Sequence, residues 1–420
     1  MKSITKSLVI TSTTPFLFTL LILLQLPFQS LLSQPASKFQ LVESVPVETS
    51  LGSSKTLRTA DVWLDMINSA KKSIEVEAFY ISSEAGEPLE PIITAFLDAA
   101  SRGVIIRFII DERMARTYPE TLQQLNQQPN ITIRKINYYD KLGGVMHAKY
   151  FIVDDVQLFL GSQNFDWRAL KHIHELGVRI HNAKISLLFK KVFEIDWELA
   201  SDHSTPILYS LNQDSVINRN LPLLLSVDHQ DTISLFPTFS PQQTTYPQLE
   251  EDEREIIHLI DGAKDRLEIQ LLSYKPVFRN NFYQDLDNAL REAAARRVQV
   301  YLIVSDWNTG FPDIQYLKSL QVIPNIDIHI SKIPQWSGGF IPYARVEHCK
   351  YMVVDSAQVW IGTSNWGWNY FYVSRNAGLV ISSKSVTKTV HDIFLRSWNS
   401  DYTAPLDICK EYKSPSVSGD

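Results

Sequence analysis

Met146-His147-Ala148-Lys149-Tyr150-Phe151-Ile152-Val153-Asp154 and Glu347-His348-Cys349-Lys350-Tyr351-Met352-Val353-Val354-Asp355 carry one pattern twice. In each, a Lys follows the His by two residues and an Asp follows the Lys by five. Each copy then reaches a small-residue turn, Leu160-Gly161-Ser162-Gln163-Asn164 in the first and Ile361-Gly362-Thr363-Ser364-Asn365 in the second. A polar residue follows each His by 28 positions, Glu175 and Asn376.

Residues i and i+2 of an extended chain share a face, so His147 projects with Lys149 and His348 with Lys350. The runs Tyr150 to Val153 and Tyr351 to Val354 are aromatic and β-branched, the composition of buried strands. Two such strands face to face would gather two imidazoles, two ammonium groups and the amides of Asn164 and Asn365. That set suits a phosphodiester: cations and amide N–H groups hold its oxygens, one imidazole attacks phosphorus, and the other protonates the leaving oxygen. One His-x-Lys on an apolar strand would read as core, and the repetition is what points to a site.

The duplication extends outward from the motifs. Ala70-Lys71 is answered by Ala263-Lys264 after 193 residues, Val104 by Val298 after 194, and His147 by His348 after 201. In the first half the pattern predicts an edge strand at Phe39 to Val42 and a helix from Thr59 with Val62, Trp63, Met66 and Ile67 on one face. It continues with strands at 73–81, 104–110 and 131–136, and helices at 91–100, 119–127 and 184–199. The run 104–110 is almost wholly apolar and suits the middle of a sheet covered on both faces. Residues 202–248 are rich in Ser, Thr, Gln, Asn and Pro, apart from an apolar run at Thr232 to Phe236.

The expected domains are therefore 1–36 as a leader, 37–201 as a first lobe, 202–248 as a linker and 249–420 as a second lobe. The 420 residues carry a net charge of −6, with 45% hydrophobic and 20% charged content. This balance excludes a general polyanion coat but allows a local basic cleft. Two cysteines, Cys349 and Cys409, cannot form a disulfide framework. Lys2 and Lys6 precede an apolar run from Pro15 to Phe28, which predicts a signal peptide or signal anchor and an exported or luminal protein, secreted or held by one membrane span.

The doubled His-x-Lys-x4-Asp with Gly-Ser/Thr-x-Asn resembles the phospholipase D superfamily. Asn164-Phe165-Asp166-Trp167-Arg168, Glu175-Leu176-Gly177-Val178, Ile341-Pro342-Tyr343-Ala344-Arg345-Val346 and Gly362-Thr363-Ser364-Asn365-Trp366 resemble its endolysosomal 5′-exonuclease-type branch, over residues 39 to 405. The resemblance implies an α/β fold: two phospholipase D-like α/β/α lobes related by a pseudo-two-fold axis, with the active site between them. It implies a catalytic set of His147, His348, Lys149, Lys350, Asp154, Asp355 and Glu175, with Asp154 and Asp355 organising the site from behind. Asn164, Asn365, Ser162 and Thr363 are the implied substrate-binding residues. Glu175 would orient His348 across the axis, and Asn376 would take the corresponding place beside His147. Here the chain departs from the symmetric pattern. A carboxylate favours the protonated imidazole more than an amide does, so His348 is expected as general acid and His147 as the nucleophile that forms the phosphohistidine.

Neither a cofactor nor a metal is expected; His172 and His174 lack the accompanying ligands of a metal site and read as surface or core residues. No oligomer is required, because one chain holds both half-sites. Trp167, Tyr343, Trp366, Trp368 and Tyr370, interleaved with Arg168 and Arg345, suit stacked single-stranded bases, a lipid-facing rim or a packed core. Three functions follow: a metal-independent 5′ exonuclease on single-stranded DNA or RNA; a phospholipase D or transphosphatidylase on glycerophospholipids; and a catalytically impaired, membrane-tethered binding protein.

Overall fold

The apolar run at 104–110 lies inside a sheet, as its composition requires. The first sheet contains β1 (Phe39–Ser44), β2 (Leu57–Arg58), β3 (Ser73–Ala78), β4 (Ile105–Asp111), β5 (Ile131–Ile136), β6 (Tyr150–Val153), β7 (Gln157–Gly161) and β8 (Glu175–His181). Their spatial order is β2-β1-β8-β7-β6-β3-β4-β5. The neighbours β3, β4 and β5 run parallel, whereas β6, β7, β8 and β1 pair antiparallel. Parallel neighbours need a crossover, supplied between β3 and β4 by a helix at Glu90–Ser101.

The second sheet repeats the plan. It contains β9 (Leu223–Ser226), β10 (Thr232–Ser240), β11 (Glu250–Glu251), β12 (Arg266–Leu271), β13 (Gln299–Ser305), β14 (Ile326–Ser331), β15 (Lys350–Val354), β16 (Gln358–Gly362), β17 (Asn376–Ser382) and β18 (Thr403–Pro405). The order is β9-β10-β17-β16-β15-β12-β13-β14-β18, with β11 on β10. Here β10 takes the place β1 holds in the first sheet, against β17 as β1 lies against β8. Residues 223–226 and 232–240, inside the span expected as a linker, are thus strands of the second sheet. The apolar run Thr232 to Phe236 forms the first part of β10 and pairs with Leu223–Ser226 on one side and β17 on the other.

The computed structural model describes Met1 and residues 38–201, 210–226 and 231–418, and 37–420 form one unit. In the first lobe, helices Thr59–Ser69 and Glu90–Ser101 cover one face, and Ala183–Leu199 covers the other. Alternation along β6 divides its side chains accordingly. Phe151 and Val153 pack with the first two helices, and Tyr150 and Ile152 pack toward the third. Trp63 anchors the first side, stacked 4.3 Å from Phe165 and edge-on to Phe151 and Phe159.

The lobes meet along matched backbone bridges, Met146 with Arg375 and His174 with Glu347, each residue of one pair lying 201 positions from its counterpart in the other. Val145 accepts the Arg375 N–H at 3.0 Å, and His174 accepts that of His348 at 2.9 Å. Gly144 permits this approach, because a Cβ there would stand 2.0 Å from the Val373 carbonyl oxygen. Beneath the first bridge, Arg375 and Asp196 form a fully buried ion pair at 2.6 Å, and Asp196 also accepts the Tyr138 hydroxyl.

The expected localisation is corrected. Among the described residues no helix is long and apolar enough to cross a membrane, so single-pass anchoring has no structural support. The leader expected at 1–36, on which that expectation rested, lies outside the described residues apart from Met1. Cys349 is buried and Cys409 exposed, and both are free thiols.

Candidate active site

Each motif delivers its His and Lys just as the chain enters a central strand. His147 precedes β6, and the Lys149 ammonium turns back to donate to the His147 carbonyl at 2.7 Å. Lys350 does the same to the His348 carbonyl at 2.9 Å. In the first lobe Asp111, at the end of β4, accepts the Met146 N–H at 3.0 Å and fixes the approach to His147.

Each imidazole is oriented from the opposite lobe. His348 Nδ1 lies 2.7 Å from Glu175 Oε2, and His147 Nδ1 lies 2.9 Å from Asn376 Oδ1. Asn376 Nδ2 donates to the Tyr370 carbonyl at 2.8 Å, which fixes the amide's orientation. Its oxygen therefore faces His147, Nδ1 carries the proton, and Nε2 is left as the free base. The Thr363 hydroxyl donates to the same Oδ1 at 2.9 Å. In the other half Ser162 bonds the backbone of Leu176.

Burial governs the electrostatics. It holds both imidazoles well below their usual pKa, reinforced by the Lys149 and Lys350 charges that each of them feels. Burial and then Lys350 hold Lys149 well below its usual value, and burial brings Lys350 down to about 8. Burial pushes the Glu175 carboxyl well above its usual range against the pull of Lys350. In the substrate-free site burial and the two lysine charges work against protonation of His348, although its Nδ1 lies against the Glu175 carboxyl. Lys350 Nζ lies 3.2 Å from His348 Nε2, the arrangement of an ammonium donating to an unprotonated ring nitrogen.

Asn164 and Asn365 lie two residues beyond Ser162 and Thr363, buried, and the Oδ1 of each has no hydrogen-bond partner. Asp154 and Asp355 are not brought to the imidazoles. They sit at the far ends of β6 and β15, roughly 16 Å along the strand from the lysines. The Asp154 carboxylate accepts the N–H groups of Lys71, Lys72 and Ser73, and Asp355 those of Lys264, Asp265 and Arg266. Their φ values of 53° and 49° place both in left-handed turns.

Some neighbours are not visible in the motif spacing. Phe79 and Tyr370 flank His147 with ring centroids 5.2 and 4.9 Å away, and the Lys149 ammonium stands 5.4 Å from the Phe79 ring. His174 is a buried bridge, with Nδ1 2.7 Å from Glu347 and Nε2 3.1 Å from Glu43. His174, Glu347 and Cys349 bring ligand-type atoms within 4.8 Å of one another. Both ring nitrogens already face carboxylates, the arrangement of an imidazolium held between two anions. His172 is a core residue between Trp167 and Trp336. Among the residues grouped by sequence as aromatic or basic, Trp366 is core, Arg168 is paired with Asp166, and Arg345 donates to the Pro334 and Val47 carbonyls.

Two repeated α/β halves, each presenting a His and a Lys to a shared seam and orienting the other's imidazole, define a phosphodiesterase. The chain belongs to the phospholipase D superfamily: the family model described as "Cardiolipin synthase, PLD-like domain" matches residues 63–197 and 256–398. It is 32% identical over 385 residues to "Phospholipase D Z" of Dictyostelium discoideum, covering 87% of this chain and 90% of that one. It is 27% identical over 441 residues to the "5'-3' exonuclease PLD3" of Xenopus laevis, covering 94% and 89%. The fold is similar to that of a Haemophilus influenzae phosphatidylserine synthase, with a TM-score of 0.58 at 15% identity over 83% of this chain and 85% of that one.

Proposed function

We propose that the protein is a metal-independent phosphodiesterase that works through a phosphohistidine on His147, with single-stranded DNA or RNA as substrate and cleavage from the 5′ end. The observation that carries the division of labour is the unequal backing of the imidazoles, an amide that fixes His147 Nε2 as free base and a carboxyl beside His348.

An arriving diester brings negative charge and gives Lys350 an oxygen to bind in place of His348 Nε2. Both changes raise the proton affinity of His348, which enters the reaction protonated. His147 Nε2 attacks phosphorus while the bond to the leaving oxygen breaks, and that oxygen takes the His348 proton. Water then attacks the phosphorylated His147 and gives a proton to His348 as the P–N bond breaks. Lys149, Lys350 and the Asn164 and Asn365 amides hold the phosphoryl oxygens. Asp154 and Asp355 take no part in proton transfer; they hold the turns that lead into β3 and β12.

A relative named as a 5'-3' exonuclease, matched over nearly its full length, supports the nucleic-acid reading. A relative named as a phospholipase D supports the lipid alternative. The test offers the protein, in chelator, a 5′-hydroxyl single-stranded oligonucleotide and a phosphatidylcholine vesicle in parallel, with His147→Ala as control. Stepwise shortening from the 5′ end, absent in the variant, is the expected result. Choline release without shortening would replace the nuclease with the lipase, and a phosphoryl group trapped on His348 would reverse the roles of the histidines.

A further inference from the structure

Beyond β12 the second lobe departs from the first. Where the first lobe has turns at 85–89, the second has a short antiparallel hairpin, Val277–Phe278 against Asn281–Phe282. Arg279 and Asn280 at its tip have φ values of 50° and 65°. The hairpin faces the helix Trp368–Tyr372, and a cavity of about 610 Å³ lies beside them. Phe278 stacks on Trp368 at 4.7 Å, Trp368 on Tyr372 at 5.2 Å, and the Arg279 guanidinium stands 5.1 Å from the Phe278 ring. Phe282, half exposed, stacks on Tyr316.

Two links tie this cavity to the reaction. Tyr370, on the helix that carries Trp368, flanks His147. Arg279 reaches the first lobe, its guanidinium 4.0 Å from where a Gly143 Cβ would stand, four residues before His147. The lining chemistry is selective. It combines aromatic rings, the amides of Asn281 and Gln284, the Arg279 cation and the Asp285 carboxylate, with no aliphatic side chain among the described lining residues. An acyl chain calls for aliphatic walls, whereas a base calls for π faces and hydrogen-bonding groups at its edge.

We propose that this cavity is a nucleobase subsite that seats the base of a nucleotide flanking the scissile phosphodiester, a reading that rests on the single-strand nuclease function above. The base stacks on the Phe278 face opposite Trp368, displacing the Arg279 guanidinium that covers that face in the free protein. Asn281 and Gln284 meet its edge, Asp285 accepts from an exocyclic amine, and Arg279 stands toward the phosphate. At about 610 Å³ the cavity falls within the ordinary range of small-ligand sites.

The test measures kcat/KM of the full chain on 5′-hydroxyl single-stranded oligonucleotides with adenine or an abasic residue at each nucleotide flanking the cleaved bond. In the wild type, loss of one of these bases should lower kcat/KM by about tenfold or more, the scale of one aromatic–base stack. Phe278→Ala should bring that ratio near one, and Phe278→Tyr should retain it. Arg279→Gln, on the exposed hairpin tip, should raise KM with little change in kcat. A ratio near one at both positions in the wild type, or a ratio that Phe278→Ala leaves intact, overturns the subsite while leaving the nuclease standing. Turnover of bis(p-nitrophenyl) phosphate with no cleavage of either oligonucleotide overturns the nuclease reading beneath it.

Discussion

Asn376 Oδ1 sits 2.9 Å from His147 Nδ1, at the place where Glu175 meets His348 in the other half. Replacing the amide by a carboxylate, Asn376→Asp, gives His147, the proposed nucleophile, an anionic partner. Its proton affinity rises, so the acidic limb of the kcat/KM profile should move to higher pH by roughly one unit or more. Stopped assays at closely spaced pH values check this, and an unmoved limb would remove His147 from the nucleophile's role.

Burial brings the Lys350 ammonium down to about 8 in the free enzyme by disfavouring its charge. Below that value the ammonium is present to receive the diester; above it the amine is neutral. The expected result is kcat/KM falling as pH rises through about 8, with the loss chiefly in KM, because a bound anion restores the proton. A flat kcat/KM from pH 7 to well above 9 would contradict it.

Asp154→Ala removes the acceptor of three backbone N–H groups without touching the imidazoles. Stability to urea should fall by about 2–3 kcal/mol, while kcat per folded molecule stays near the wild-type value. Loss of kcat at unchanged stability would return Asp154 to the catalytic set.

Arg375→Met strands Asp196 in the interior beneath the lobe seam. The cost should be about 3–5 kcal/mol, read from denaturant midpoints, and the double change with Asp196→Leu should recover a good part of it. A single change costing under about 1 kcal/mol would mean that water reaches Asp196.

The sequence showed what repeats without showing why. His147, Lys149 and their counterparts were legible because a two-residue spacing forces a shared face. Asp154 and Asp355 recur as faithfully, yet the turns before β3 and β12 recur too, and each needs a carboxylate to gather three N–H groups. Spacing alone cannot separate a repeated reaction from a repeated turn. Strand β10 was hidden within a polar segment, and only its apolar run signalled a place in the sheet. Phe79 and the Glu43–His174–Glu347 bridge depend on contacts between distant segments. The phospholipase D-like fold and family, by contrast, were readable from the motifs.

The backbone bridges from Met146 to Arg375 and from His174 to Glu347 join halves that belong to one polypeptide. Two identical subunits meeting across such a seam would be bound to present the same residue on both sides, so any change to one imidazole's partner would strike both. Fusion lifts that restriction: Glu175 and Asn376 can diverge independently, and the proton flow proposed above takes its direction from that covalent asymmetry.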